Sequence, residues 1–236
     1  MISTGGAGSE GLGAIRWLEV SITAATLVLL SPLLLAVALA IRIDSPGPVL
    51  YREERLGRGG RPFELSKFRS LHVQPHRGAR VAAGGDPRIT RVGRFLRRSH
   101  LDELPQLLAV LRGQMTLVGP RPERADIWSV VEPGLRERAL AVRPGLTSPA
   151  SLLYLCEDAV LGGVPQPDVV YCEILLPEKL RVDFAFLETR TPGADVRVLL
   201  ATLARPFTRT EADCCPERVR ALLQRHGIAV DAGGST

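Results

Sequence analysis

Lysine is almost missing from this 236-residue chain: Lys67 and Lys179 are the only two, so its 30 basic residues are nearly all arginine. Arginine stays charged at all relevant pH and grips phosphate in a bidentate fork. Aromatic residues are scarce at 5%, with three Tyr and two Trp, which argues against a platform stacking successive nucleic-acid bases. Cysteine is thin as well. Cys156, Cys172, Cys214 and Cys215 fit neither zinc-ligand spacing nor a disulfide framework, so reduced thiols are the plain reading. With 25 Asp+Glu the net charge is +5, and a hydrophobic content of 45% excludes global disorder. The length fits one domain with an appendage.

One segment lacks charge altogether. Val20–Ile41 reads VSITAATLVLLSPLLLAVALAI, and as a helix rising ~1.5 Å per residue it matches the ~30 Å hydrocarbon core. A cleaved signal peptide fits poorly despite Ala38-Leu39-Ala40, because the run is too long and no positive charge precedes Arg16. Two readings stay open: a plain transmembrane helix, and a re-entrant hairpin broken at the central Ser31-Pro32. Proline removes a backbone donor and kinks a helix, and serine can bond the carbonyl that proline frees. Arg42, Arg52, Arg55, Arg58 and Arg61 follow the segment and place its C-terminal side in the cytoplasm, against anionic headgroups.

The rest divides readily. Residues 1–13 are Gly- and Ser-rich and read as disordered; residues 14–43 form the membrane element, ended by Asp44-Ser45-Pro46-Gly47-Pro48. Residues 44–207 form the main domain, and residues 208–236 a tail with a short helix from Pro216 to His226. Val49–Leu56 and Phe63–Phe68 predict a hairpin around Gly57-Arg58-Gly59-Gly60. His72–Gly85 reads as a mobile loop. A helix opens at Asp86-Pro87-Arg88, and another spans about Asp102 to Arg112, with Leu104, Leu107, Leu108 and Leu111 on one face. Pro122 starts a helix interrupted at Pro133-Gly134, and Ala194–Arg205 is a basic amphipathic helix. The fold class is mainly α with a small β-hairpin.

Chemistry concentrates in residues 86–123, DPRITRVGRFLRRSHLDELPQLLAVLRGQMTLVGPRPE. Arg88, Arg91, Arg94 and Arg97 recur every three residues ahead of Asp102-Glu103, and Arg121 stands between two prolines. Phosphoanhydride chemistry needs a nucleophile, cations on the phosphate oxygens and usually a divalent metal. Asp102 suits the nucleophile, Glu103 suits Mg²⁺, and Arg97 and Arg121 suit phosphate. On spacing alone, helix capping and a solvated arginine face account for the same residues and are favoured.

The whole set of blocks, however, resembles the bacterial sugar transferases, the monotopic phosphoglycosyl transferases in their small catalytic-core form. The resemblance runs through Ser31-Pro32, Asp44-SPGPVL-Tyr51, Lys67-FR-Ser70, Arg97-RSHLDELP-Gln106, Gly113-QMTLVGPR-Pro122 and Arg143-PGL-Thr147, over roughly residues 14–205. It implies transfer of a sugar-1-phosphate from a UDP-sugar to polyprenyl phosphate, with release of UMP, at the cytoplasmic face of the bacterial inner membrane. It implies a re-entrant membrane element with its break at Ser31-Pro32, and interfacial amphipathic helices. It also implies Asp102 as covalent nucleophile, Glu103 with Asp102 at Mg²⁺, and a phosphate site lined by Lys67, Arg97, Arg121, Arg143 and, with less weight, Asp183. UDP-sugar, polyprenyl phosphate and membrane lipid are the partners it implies, without nucleic acid, and a homodimer is left open. The chain departs from the family at Ser148-PASLL-Tyr154, where a Gly-Trp-Ala-Gln type stretch is common, so the donor sugar is not implied.

Other motifs fall away. Pro75 between His72 and His76 disfavours a helical metal pair, Ser99, His100 and Asp102 are too contiguous for a triad, and Gly57, Gly59 and Gly60 lack a phosphate-loop ending. The competing function is a non-catalytic basic module, held at the membrane, that binds anionic lipid or nucleic acid. It leaves Asp102-Glu103 and the Pro-Arg-Pro without a purpose.

Overall fold

The structure is a computed structural model that describes residues 7–73, 88–155, 157–208 and 216–228. Residues 1–6, the predicted loop from Gln74 to Gly85 with His76, the Asp86-Pro87 helix start, and Cys156, Cys214 and Cys215 lie outside them.

Helix α1, Ala7–Asp44, carries Pro32 in its interior. It is helical from Ala7 onward, and residues 1–6 of the expected Gly- and Ser-rich lead lie outside the described residues. The helix also runs unbroken through Ser31-Pro32, without the interruption expected there. The local chemistry is the expected one: Pro32 has no N–H to give the Val28 carbonyl, and Ser31 Oγ donates to it instead at 2.8 Å.

Both ends of α1 are fastened to one body. Near its start, Arg16 donates to the Val110 carbonyl, while Glu19 accepts from Thr116 Oγ1 and from the Leu117 N–H. Near its end, Val37 and Ile41 pack on Phe68 and Leu96, and the Val92 N–H donates to Asp44 at 3.0 Å. The SPGP turn then folds over Arg69, which is buried and donates to the carbonyls of Ser45 at 2.6 Å and Pro46 at 2.9 Å. Gly47 has φ +124, and a Cβ there would overlap the Arg69 guanidinium.

Strands β1 (Leu50–Leu56) and β2 (Pro62–Phe68) form the predicted antiparallel hairpin, with Leu50 opposite Phe68 and Leu56 opposite Pro62. Phe63, Leu65 and Phe68 of β2 are buried against the helices that follow.

Helix α2 (Arg91–Ser99) starts later than the sequence predicted, capped by Thr90, whose Oγ1 accepts from the Gly93 N–H at 2.8 Å. It stops at His100, whose left-handed φ of 56 turns the chain. The single helix expected from Asp102 to Arg112 is in fact two pieces: a tight 3-10 turn, Leu101–Gln106, and α3, Leu107–Leu111. The turn closes on bonds such as Glu103 N–H to His100 C=O at 3.3 Å, and Pro105 has no N–H for an α-type bond.

A second pairing was not visible in the sequence. β3 (Thr116–Val118) and β4 (Gly145–Thr147) are parallel, with Thr116 opposite Gly145 and Val118 opposite Thr147. Between them lie α4 (Ala125–Trp128) and α5 (Pro133–Ala141). Pro133 opens α5 rather than interrupting a helix, because the Glu132 carboxylate accepts from the Gly134 N–H at 3.0 Å and the Leu135 N–H at 2.9 Å.

The chain continues through α6 (Pro149–Leu153), α7 (Glu157–Leu161), α8 (Pro167–Val170), a π turn (Tyr171–Leu175), α9 (Leu176–Glu188), α10 (Pro192–Thr208) and α11 (Pro216–Arg225). α10 leaves Val196, Leu200 and Leu203 exposed along one stripe. The short helix expected from Pro216 to His226 is α11. Its Val219 and Leu223 are fully buried in a core with Leu161, Leu175 and Tyr154.

Candidate active site

The His100 turn delivers Asp102 and Glu103 onto the first turn of the 3-10 segment, whose Pro105 and Gln106 are buried. β2 presents Lys67 to the same place, and the Pro120-Arg121-Pro122 loop after β3 presents Arg121. Glu103 is the hub. Lys67 Nζ donates to its Oε1 at 2.8 Å, and Arg121 makes a two-pronged contact, Nη1 to Oε2 at 3.1 Å and Nη2 to Oε1. Two cations on one carboxylate is the arrangement that fork-shaped guanidinium chemistry favours.

The adjacent carboxylates are driven apart electrostatically. Burial works against the Glu103 anion, but Arg121 and Lys67 hold its carboxyl well below the usual range. Asp102 is pushed the other way, up to about 6, by burial first and the Glu103 charge second; Lys67, Arg97 and Arg121 pull against that rise. Asp102 therefore carries a carboxylate that is basic for its type beside three cationic groups. A pair of carboxyl groups with divergent acidities is a recurrent mark of a reaction centre.

Behind Arg121 sits a second network that sequence reasoning missed. Glu123 is buried, and its carboxylate accepts from Tyr171 Oη at 2.6 Å and from Arg55 Nη1 at 3.0 Å. Arg55 also donates to the Pro122 carbonyl at 3.2 Å, and the Leu56 N–H donates to the Glu123 carbonyl at 3.0 Å. The loop bearing Arg121 is thus stitched to β1 and to the π turn. Glu123 closes the GPRPE stretch already noted, so its position was readable; Tyr171 carried no signal of its own. Lys179 approaches the Tyr171 ring at 5.3 Å and pairs with Glu157 at 2.6 Å, extending the network inward.

Lys67, Arg97, Asp102, Glu103 and Arg121 are coupled by charge around the carboxylate pair. Asp183 and Arg143 make their contacts elsewhere. Asp183 is buried and has another role: its carboxylate accepts from the Ala150 N–H at 3.0 Å and bonds Ser148, holding the start of α6. Burial raises its carboxyl to about 6, which those two bonds oppose. Arg143 opens onto a separate cleft beside the hairpin turn. Ser31 and Pro32 lie in the exposed middle of α1.

Among the described residues no group of three or more His, Cys, Asp or Glu side chains converges on a metal-sized gap. Mg²⁺ typically takes one or two carboxylates and completes its shell with substrate phosphates and water; Asp102 and Glu103 are the carboxylates here, and both Glu103 oxygens already accept from Lys67 and Arg121.

Residues 12–209 match the family model described as bacterial sugar transferase. A Caulobacter vibrioides protein named UDP-glucose:undecaprenyl-phosphate glucose-1-phosphate transferase is 40% identical over 202 residues, covering 84% of this chain and 71% of its own length. The Rhizobium leguminosarum exopolysaccharide production protein PSS is 41% identical over 202 residues, 82% of this chain and 95% of its own length. An Aeromonas hydrophila protein named UDP-N-acetylgalactosamine-undecaprenyl-phosphate N-acetylgalactosaminephosphotransferase is 40% identical over 144 residues, 59% of this chain. The chain spans only about a third of that last relative, 34% of its length.

Proposed function

This chain belongs to the bacterial sugar transferase family, and from that premise we propose that it moves a sugar-1-phosphate from a UDP-sugar onto polyprenyl phosphate through an intermediate on Asp102. The observation that carries the reading is the pair itself: an Asp102 carboxylate poised near pH 6, beside a Glu103 gripped by Lys67 and Arg121.

The Asp102 oxygen attacks the sugar-bearing phosphorus, the phosphoanhydride bond breaks, and UMP leaves with the bridging oxygen. Lys67, Arg97 and Arg121 neutralise the phosphate oxygens as charge builds on them. The acceptor's phosphate oxygen then attacks the same phosphorus, restores the Asp102 carboxylate and leaves a sugar diphosphate on the lipid. Glu103, with Asp102, would hold Mg²⁺, which when bound lowers the charge on the diphosphate. The relatives' names divide between glucose and N-acetylgalactosamine donors, so the sugar and the glycan it begins are set by experiment.

The acceptor lies in a membrane, and α1 is built to hold the site there. The apolar stretch of α1, Arg16–Asp44, is long enough to cross a membrane and is largely exposed. Arg16 and Asp44 at its two ends are both bonded to the same body, which supports a re-entrant element that enters and leaves by one leaflet, with the body on the cytoplasmic face of the inner membrane. The non-catalytic basic module gives no reason for the Glu103 clamp and is set aside.

Purified chain supplied with Mg²⁺, polyprenyl phosphate and a panel of UDP-sugars should release UMP with at least one donor. Omitting the lipid should leave a phosphosugar adduct that mass spectrometry locates on Asp102. No UMP from any donor, or an adduct on another residue, defeats the proposal.

A further inference from the structure

The hairpin turn before β2, the end of α3 and the residue ahead of Pro144 enclose an open cleft of about 570 Å³. Arg58, Arg61, Arg112 and Arg143 line it, and no carboxylate does. We propose that this cleft is a second anion site, apart from the carboxylate pair, and that it seats the phosphate of an acidic phospholipid headgroup.

The four guanidinium groups are largely uncommitted. Among the described residues Arg61, Arg112 and Arg143 have no ion-pair partner, and Arg58 gives only its Nε, to the Ala141 carbonyl at 3.1 Å. The nearby carboxylate, Glu19, is already saturated by Arg16 at 2.7 Å, Thr116 and the Leu117 N–H. Like charges gathered without a counter-ion repel, and an anion placed among them removes that repulsion. Arg143 registers it: burial first, then the charges of Arg16 and Arg58, pull its pKa below the ordinary arginine value, with Glu19 opposing. Guanidinium forks match phosphate oxygens.

The cleft is distinct from the proposed catalytic centre. It lies at the Phe63 end of β2, while Lys67 stands four residues further on, ~13 Å along the strand.

Its place relative to the membrane selects the occupant. Arg16 donates to the Val110 carbonyl, and its Nη2 lies 3.7 Å from a Cβ built on Gly113 in the cleft wall. Arg16 is followed at once by Trp17 and Leu18, which are 74% and 61% exposed, and then by the charge-free run of α1. An exposed tryptophan at the mouth of an apolar helix marks headgroup depth. The cleft therefore opens where lipid phosphates are dense, and each arginine near such a surface adds attraction. The inference rests on α1 entering the membrane and not on the transfer reaction.

Trp17 is a built-in reporter, since Trp128 is buried. The full chain, reconstituted in phosphatidylcholine bilayers, is mixed with brominated phosphatidylglycerol or brominated phosphatidylcholine, and quenching of Trp17 gives the relative association of each lipid. Phosphatidylglycerol should be favoured on the order of tenfold, and Arg61→Gln with Arg112→Gln should bring the ratio close to one while the melting temperature holds. Equal quenching by both lipids, or selectivity that survives the double substitution, overturns the proposal. A calorimetric arm adds inorganic pyrophosphate to the protein in phosphatidylcholine alone. Tight binding that the double variant loses would assign the cleft to a soluble anion and overturn the lipid occupant.

Discussion

Asp102 and Glu103 are neighbours in sequence and opposites in electrostatics, because only Glu103 receives the Lys67 and Arg121 donors directly. Three outcomes follow at the level of single side chains. A nucleophile must be ionised, so kcat/KM should fall as pH drops through about 6, the value to which Asp102 is raised. Asp183 is also raised to about 6, so Asp183→Asn, whose amide oxygen still accepts from Ala150, separates the two groups. The acid limb should persist in that variant, and its disappearance would move the assignment from Asp102 to Asp183. The second outcome concerns stability. A carboxyl raised in the folded state is more easily charged in the unfolded one, so its ionisation weakens the fold increasingly as pH rises from about 4 toward 6, and by a constant amount above that. Asp102→Asn should therefore abolish UMP release yet gain roughly 1–2 kcal/mol at pH 8, read as a higher melting temperature. A melting temperature lower than wild type at pH 8 would contradict the raised value. The third concerns Tyr171. Tyr171→Phe removes a donor from the buried Glu123 carboxylate, at a cost of about 1–3 kcal/mol, and loosens the Arg121 loop. KM for the UDP-sugar should rise more than kcat falls; an unchanged KM would make the bond purely structural.

Among the elements, α1 is the one whose behaviour a local change should redirect. Ser31 Oγ satisfies the Val28 carbonyl that Pro32 leaves open, so the proline sits inside a continuous helix without leaving an unmet acceptor there. Pro32→Ala restores the backbone donor and favours a straight helix. A single cysteine placed at residue 12 should label only from the cytoplasmic side in the parent chain, and in part from the periplasmic side once Pro32 is replaced. Periplasmic labelling in the parent would defeat the re-entrant arrangement. The β3–β4 pair is equally exacting. A Cβ on Gly145 would collide with the Gly119 backbone, which has no flexible end to move aside. Gly145→Ala should destabilise by about 1–3 kcal/mol or more and displace the Pro-Arg-Pro loop that follows β3, visible together as a lower melting temperature and lost UMP release.

For the whole molecule, the apolar run, the hairpin, the last short helix and the Asp-Glu pair were legible in the chain because each rests on local rules: charge-free length, turn glycines and 3.6-residue spacing. Lys67, Arg97, Asp102, Glu103 and Arg121 were singled out through resemblance, since spacing alone favoured helix capping, and the fold gathers their charges around one carboxylate pair. What depended on distant contacts stayed hidden. Strands of three residues carry no periodicity, so the parallel β3–β4 pair had no signature. α11 reads as an amphipathic tail until Leu161 and Leu175 are seen to bury its Val219 and Leu223. Asp183 bonds the start of α6 and Arg143 lines the arginine cleft, placements that join residues distant in the chain and carry no local pattern. The amino-acid sequence by itself determined that an arginine-rich body would be tied to a long apolar segment and would carry an acidic pair near a helix start. Only the tertiary structure decided which carboxylate is clamped and which is left basic, because that choice depends on where two cations from separate elements meet in space.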